Sequence, residues 1–172
     1  MTTRILTAAL ALVIAIAAQA QDFATKYMSE NAGDTTLNCI SVSPKMMEEI
    51  IQRGIQENDT IGIAADIISK LKSMQIVNTD KQASLHFDKA EKMAQRNSAR
   101  FKVMGAYNNS KERDDRCRIF VRKQREHIVE LVLLKQKGTK FMVINFTGNM
   151  NKEFIDKLSH TMLPHHAEKD NE

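Results

Sequence analysis

The side chains in this chain with the widest chemical range are five histidines and two cysteines. Three of the histidines, His160, His165 and His166, lie near the carboxyl terminus. Imidazoles clustered in this way can bind Zn²⁺ or Cu²⁺ weakly. No cysteine or carboxylate stands at a spacing that would complete a closed metal site. The pattern is more typical of an exposed tail, and metal binding by these three residues is an alternative hypothesis.

Nucleophilic catalysis requires a serine or cysteine, a base and an orienting group that converge in space. The chain has no Gly-x-Ser-x-Gly motif and no phosphate-binding glycine loop, and its six glycines are scattered. His86 and Asp88 are two residues apart in a predicted helix, so they do not share a face. His127 falls at a predicted turn. We therefore predict a protein that is not an enzyme and has no cofactor. A hydrolase would need His86 or His127 to meet a serine or carboxylate in a cleft.

The two cysteines, Cys39 and Cys117, could form a disulfide if the protein is exported. Closing the long loop between them would stabilise the fold by roughly 4–5 kcal/mol in the chain-entropy model. Both residues also lie in predicted strands, where a buried cysteine often serves only as a small core residue. The sequence leaves both possibilities open.

The amino terminus has the pattern of a secretory signal peptide. Arg4 supplies a positive charge, residues 5–18 are almost purely apolar, and small residues stand at Ala18 and Ala20. A membrane anchor is disfavoured because the apolar run is shorter than the ~20 residues that span a bilayer. We predict cleavage after Ala20 and a soluble mature chain in the periplasm or cell envelope, without a transmembrane segment.

Composition argues against nucleic-acid binding and predicts one domain. The formal net charge is +4, acids and bases are interspersed, and aromatic residues make up only 5%. Four basic residues lie largely off the apolar face of the longest predicted helix, and we interpret them as a solvated flank: Lys89, Lys92, Arg96 and Arg100. The chain that remains after cleavage can build one ordinary core.

Residues 127–148 read as two strands around a tight turn at Lys137-Gly138 or Gly138-Thr139. Either turn places the same apolar side chains on one face: Val129, Leu131, Leu133, Met142, Ile144 and Phe146. Glu130 and Asn145 fall on the other face. We expect helices to cover the first face.

The remaining chain supplies those helices and further strands. In the first half the pattern predicts a strand at 37–43, a helix from Pro44 to Gly54, a second helix from Asp59 and a strand at 74–78. A long helix capped by Asp80 follows, and then strands at 103–107 and 118–124. The hairpin and a last helix stopped by Pro164 complete the chain. This order predicts an α+β fold, a single domain with a mainly antiparallel sheet of about five to six strands and helices on one face. We assign 1–20 to the signal peptide, 21–36 to a lead-in segment, 37–163 to the domain and 164–172 to a frayed tail.

The face of the hairpin opposite the helices suggests a function. It is lined by residues too apolar for open water: Ile128, Val132, Leu134, Phe141 and Val143. The lead-in, a second copy or a partner must cover them. The leading hypothesis is therefore a non-enzymatic envelope protein, an interaction or structural module that binds an unknown envelope protein or itself. The alternative is a small-molecule carrier with an apolar pocket above ~300 Å³ between the long helix and the sheet.

The second half of the chain resembles a family of small exported proteins of unknown function that is typical of the phylum Bacteroidota. The resemblance rests on four runs: FKVMGAY, RCRIFVRKQ, HIVELVLLKQ and KFMVINFTGNMN. They contain a Glu-Leu-Val strand, here Glu130–Leu133, and a hydrophobic-Thr-Gly strand end, here Phe146–Gly148. The resemblance implies an envelope location and no known activity.

Two features of this chain depart from the family pattern, and two short runs resemble glycosylation sites. The family's hairpin tips are often acidic, whereas Lys135, Lys137 and Lys140 make this one basic. The His-rich tail is also outside the family pattern. The short runs that contain Thr35 and Thr60 resemble the Asp-Thr sites that Bacteroidota glycosylate on exported proteins.

Overall fold

The computed structural model describes residues 21–46, 49, 70–109, 114–152 and 155. Within these ranges the elements follow the order α1 Phe23–Glu30, β1 Asn38–Val42, β2 Leu71–Thr79, α2 Ala83–Arg96, β3 Lys102–Asn108, β4 Asp115–Gln124, β5 His127–Lys137 and β6 Lys140–Met150. The six strands form one antiparallel sheet in the order β1-β2-β6-β5-β4-β3. The predicted α+β class and the single antiparallel sheet are confirmed.

The β5–β6 hairpin lies at the centre of the sheet. Lys137 pairs with Lys140, so the turn consists of Gly138 and Thr139, one of the two predicted alternatives. Gly138 has a φ of +56°, a conformation that glycine adopts without the steric cost of a Cβ. The turn sets the register, and the register places Glu130 and Asn145 on the opposite face from Leu131 and Ile144.

The helices α1 and α2 cover the face that we expected the lead-in, a second copy or a partner to cover. Four residues of the predicted interaction face are fully buried with side chains of both helices: Val132, Leu134, Phe141 and Val143. Of the three coverings named for this face, the structure shows the lead-in, which forms α1 and packs onto the sheet beside α2. The proposal that these residues form an interaction face for a partner is therefore wrong. The fifth residue, Ile128, is buried in the core cluster of the other face. An irregularity between Ile128 and Glu130 shifts its register.

The opposite face of the sheet carries a second buried cluster. It contains the apolar residues that the hairpin pattern grouped together, among them Leu131, Leu133, Ile144 and Phe146. Both faces of the central strands are therefore apolar and buried. The alternation pattern therefore identified the two faces correctly, but it could not tell that the long helix α2 lies on the face opposite to the one that we expected helices to cover.

The long helix begins later than its sequence indicated. Its N-cap is Gln82, with φ of +48° and no side-chain cap, whereas Asp80 was predicted to cap it. Residues 80–82 instead turn the chain out of β2, and Thr79 Oγ1 accepts a hydrogen bond from the Lys81 amide. The apolar stripe is as expected, with Ala83, Phe87, Ala90 and Ala94 buried.

Several predicted features lie outside the described residues. These are the signal peptide at 1–20, most of the predicted helices between 44 and 70 with Thr60, and most of the last helix and tail with His160, His165 and His166. In the part of the chain that the structure describes, no helix is long and apolar enough to cross a membrane.

Candidate functional site

Two polar side chains of the central hairpin receive the amino terminus of α1. The Phe23 amide donates to Glu130 Oε1 over 2.6 Å, and the Ala24 amide donates to Asn145 Oδ1 over 2.9 Å. The Thr25 amide donates to the N-cap Asp22 over 2.8 Å. A helix leaves its first amides without internal partners, and an anion beside them is also favoured by the helix dipole. The hairpin therefore supplies a ready-made docking point for α1.

The Glu130 carboxylate is fully buried and is compensated from several directions. Arg122 Nε donates to its Oε2 over 2.7 Å, and Arg100 Nη2 lies 3.4 Å from the same oxygen. Asn145 Nδ2 donates to Oε1 over 3.3 Å. Arg100 also donates to the carbonyl oxygen of Gln21 over 2.6 Å, just before α1 begins. This network neutralises the buried charge and gives the acidic residue of the Glu-Leu-Val strand a structural role.

A second polar group links α1 to α2. The Tyr27 hydroxyl lies 2.8 Å from His86 Nδ1, and His86 Nε2 lies 3.2 Å from Asp34 Oδ2. The second contact is close but is not aligned as a hydrogen bond. Tyr27 also donates to the His86 carbonyl oxygen over 3.2 Å. His86 therefore does meet a hydroxyl and a carboxylate, as a hydrolase would require.

The surroundings of this group oppose nucleophilic chemistry. The His86 side chain is 1% exposed, and its ring stacks on Phe141 at 5.6 Å between centroids. Burial lowers the pKa of His86 against the opposing effect of Asp34, and burial with the nearby Asp34 charge raises the pKa of Tyr27 far above its ordinary value. Both groups are thus neutral and sealed from substrate, so the contact holds two helices together.

Sequence reasoning missed this group. Asp34 and Tyr27 lie in the lead-in segment, more than fifty residues before His86, and no short motif connects them. Asp34 itself accepts hydrogen bonds from the side chain and amide of Thr36, and these bonds lower the pKa of its carboxyl. The available signal was the aromatic and polar content of residues 23–36, which a mere connecting segment does not need.

The two cysteines do not pair. Cys39 is exposed in β1 and Cys117 is buried in β4, and both are free. Three strands separate β1 from β4, so the two backbones are roughly 19 Å apart at ~4.8 Å per strand. Burial raises the pKa of Cys117 to about 11. The disulfide alternative is wrong, and Cys117 fills a core position.

The described residues contain no set of three or more histidine, cysteine, aspartate or glutamate side chains arranged to hold a metal ion. The three tail histidines proposed as weak ligands lie outside those residues.

The space between the long helix and the sheet is filled by packed side chains, including Phe87, Phe120 and Met93. A cavity of about 560 Å³ lies instead at one end of the sheet. Among the described residues that line it are two basic side chains, a histidine and two amides: Lys72, Gln124, Arg125, His127, Val129, Gly148 and Asn149. The described residues that line it include none of α2, so it is not the pocket between the long helix and the sheet that the carrier alternative requires. His127 lines it, but no serine or carboxylate is among the described lining residues.

The hydrophobic-Thr-Gly end of β6 also has a structural explanation. Thr147 Oγ1 lies 2.6 Å from Ser73 Oγ across the β2–β6 pair. A Cβ on Gly148 would overlap the carbonyl oxygen of Lys70 and approach Leu71 Cα to 2.9 Å. Only glycine therefore lets the start of β2 lie this close to β6.

Comparison with curated proteins finds no match to this chain. The family described as "Domain of unknown function (DUF4252)" matches residues 27–158. This match spans more than half of the chain and includes Tyr27, Asp34, His86, Glu130 and Asn145. The chain belongs to the DUF4252 family of domains of unknown function.

Proposed function

We propose that this protein is an exported, non-enzymatic module of the cell envelope that binds an extended segment of a partner protein along the open edge of β1. The observation that carries the proposal is that one edge of β1 is unpaired among the described strands and that its residues are exposed. Among the described strands β1 pairs only with β2, and Asn38, Cys39, Ile40 and Ser41 are all exposed. Ile40 is 52% exposed.

Within the described residues, β1 carries no charge, no proline and no bulge, which are three of the features that block strand addition. Its sequence, NCISV, contains no charge and no proline. Its register with β2 runs without a shift from Asn38, opposite Asn78, to Val42, opposite Met74. A regular, uncharged edge offers its free backbone groups to another strand, and natural proteins normally obstruct such edges. Peptides bind to edges of this kind by adding a strand.

The other edge of the sheet is obstructed. β3 begins with Lys102, and its register with β4 shifts between Val103 and Gly105. A bulge and a lysine are two of the devices that discourage edge pairing. Val103 is 59% exposed, slightly more than Ile40, so exposure alone does not favour β1. The difference favours β1 as the binding edge.

The non-enzymatic part of the proposal is supported by the burial of the reactive groups. Tyr27, His86 and Glu130 are buried and bonded within the fold. Each of them fixes α1 in place, so their residue types are explained without a reaction.

Photo-cross-linking in the native host tests the binding edge. A photoreactive amino acid placed at position 40 should yield one discrete adduct, because the bound strand lies against it. The same amino acid at position 103 is the matched control and should yield none. An adduct of twice the protein's mass identifies a second copy as the partner, which sedimentation equilibrium of the purified protein then checks.

Reconstitution with the purified partner gives the quantitative test. Ile40→Lys should weaken binding by about tenfold or more, since a charge on the edge disfavours strand pairing, while Val103→Lys should not change it. Equal binding by both variants and the wild type would exclude β1 as the site. Export is tested separately by intact mass, since the native protein should lack residues 1–20.

A further inference from the structure

The basic cavity forms where the sheet loses its regularity. Pairing between β2 and β6 skips Lys72, and pairing of β5 with both neighbours shifts at Val129. Both of these extra residues line the cavity. At the opposite end of the hairpin, pairing is continuous up to Lys137 and Lys140. Bulges redirect side chains and are enriched beside functional sites.

Gly148 is part of this arrangement. Because it has no Cβ, the backbone at Lys70 and Leu71 can lie directly against it, and the Asn149 amide donates to the Lys70 carbonyl oxygen over 2.9 Å. This close approach brings the start of β2 beside the β4–β5 turn. The result is a cleft of about 560 Å³, within the ~300–1,000 Å³ range of ligand pockets.

The charge in the cleft is one-sided. Lys72, Arg125 and His127 line it, and none of them forms an ion pair with a described residue. The arginines elsewhere on the sheet are different: Arg116 pairs with Asp88, and Arg118 pairs with Glu91. Gln124 and Asn149 add amide groups to the lining. The cleft therefore presents positive charge and hydrogen-bond donors that the rest of the described fold leaves unused.

Arg125 also occupies an unfavourable backbone conformation. It is the first residue of the two-residue turn between Gln124 and His127, and its φ is +56°. Glycine or asparagine is the usual residue in this region, because a Cβ there clashes with the backbone. A long cationic side chain therefore stands at a position where glycine would relieve strain. Strain of this kind often marks a functional residue.

We infer that this cleft is a binding site for a phosphoryl group carried by a small ligand or by a lipid headgroup. A phosphate offers several acceptor oxygens and up to two negative charges, which match one guanidinium, one ammonium and an imidazole N–H. Arg125 binds the phosphate through its planar donors, Lys72 contributes a second charge, and His127 and the two amides donate to the remaining oxygens. The inference does not depend on the proposed strand-addition function, because β1 takes no part in the cleft.

Calorimetric titration with inorganic phosphate and with pyrophosphate at low ionic strength tests the site. We expect saturable binding of one anion per chain. Lys72→Gln and Arg125→Gly should each weaken it by about tenfold or more, since each removes a charge-assisted hydrogen bond. Lys140→Gln is the matched control at the opposite end of the hairpin and should bind like the wild type.

Arg125→Gly separates binding from folding. Removing the strained side chain should leave the melting temperature unchanged or raise it, while phosphate binding falls. A loss of binding together with a lower melting temperature would count against the inferred role of Arg125 and overturn the assignment.

Vesicles distinguish the two sources of the phosphoryl group. The protein should sediment with phosphatidylglycerol vesicles, but not with phosphatidylcholine vesicles, if the ligand is a lipid headgroup, and Arg125→Gly should abolish this. Binding of soluble phosphate without vesicle association identifies a small ligand. No saturable binding in either arm, or equal loss in the Lys140→Gln control, would refute the site.

Discussion

Two groups of basic side chains meet opposite environments in the same sheet. Arg100 and Arg122 converge on the buried carboxylate of Glu130, beneath the amino terminus of α1. Lys72 and Arg125 line an open cleft and form no ion pair with a described residue. The two groups contain similar residue types, so the residue type does not show whether a basic side chain stabilises the fold or is free to bind a ligand. What separates them is whether a neighbouring strand supplies a buried carboxylate.

The largest loss of stability is expected from substitution of Glu130, the buried carboxylate that the first group of arginines contacts. Glu130→Ala should lower the free energy of unfolding by about 3–5 kcal/mol, because it removes the carboxylate that accepts from Arg122 and the Phe23 amide and that pairs with Arg100. Urea denaturation measures the change. Glu126→Ala, in the exposed β4–β5 turn, is the control and should change stability by less than ~0.5 kcal/mol. Equal effects would mean that Glu130 is not the docking point for α1.

Gly148 lines the cleft, and its substitution tests whether the close contact between β2 and β6 requires a glycine at this position. Gly148→Ala should destabilise by roughly 1–3 kcal/mol, because the added methyl meets the backbone of Lys70 and Leu71. Gly33→Ala is the control, since its Cβ would meet nothing within 4 Å. Thermal unfolding of both variants distinguishes close backbone approach from a general glycine effect. A tolerated Gly148→Ala would contradict the tight β2–β6 contact.

The Tyr27 hydroxyl tests the link between α1 and α2. Tyr27→Phe keeps the ring in the core and leaves His86 without its partner, so we expect a loss of about 1–2 kcal/mol. Tyr107→Phe removes a hydroxyl from a half-buried position that forms no side-chain hydrogen bond with a described residue, and it should be nearly neutral. Hydrogen exchange of the α1 amides should accelerate in the first variant only.

The lowered pKa of His86 predicts a pH dependence of stability. The unfolded chain binds this proton near pH 6.5, whereas burial makes the folded protein resist protonation. Between the lower folded pKa and about 6.5 the unfolded state carries more protons, so stability should fall as the pH drops below about 6.5. The lowered pKa of Asp34 adds a separate loss below its ordinary value of 3.8. Urea midpoints from pH 8 to pH 5 measure the first effect, and His86→Gln should flatten that slope even if the variant is less stable.

The smallest change in stability is expected from substitution of Lys72 in the open cleft. Lys72→Gln should change the free energy of unfolding by less than ~0.5 kcal/mol, since its side chain is exposed and has no described ionic partner. Denaturation in phosphate-free buffer measures this. A large loss of stability would show that Lys72 is structural like Arg122, and the contrast between the two groups would disappear.

The elements of the sheet followed from local patterns. The β5–β6 turn at Gly138 and the strands around it were predictable because alternation and turn chemistry act between residues close in sequence. The stripe of Ala83, Phe87, Ala90 and Ala94 in α2 followed from helical spacing in the same way. The start of α2 did not, because the backbone turn at residues 80–82 overrode the capping preference of Asp80.

The buried polar groups and the cleft could not be predicted, because their residues are far apart in sequence. Both faces of β5 and β6 are apolar, so periodicity could not tell which one α1 and α2 would cover, and the five residues proposed as an interaction face proved to be buried. The Tyr27–His86–Asp34 group and the cleft around Arg125 were likewise not foreseen. The first depends on how α1 docks against α2, and the second on bulges in three neighbouring strand pairs.

The sequence by itself determined the class of the fold, the central hairpin with a turn that includes Gly138, and which side chains share one face of a strand or helix, because side-chain periodicity and backbone preference are local properties. Only the tertiary structure decided that Glu130 anchors α1, that Cys39 and Cys117 stay apart, and that Lys72 and Arg125 share one cleft. The physical reason is that strand order and helix docking are chosen by the burial of the whole apolar surface. That choice then decides which distant polar side chains find partners and which remain free to bind something else.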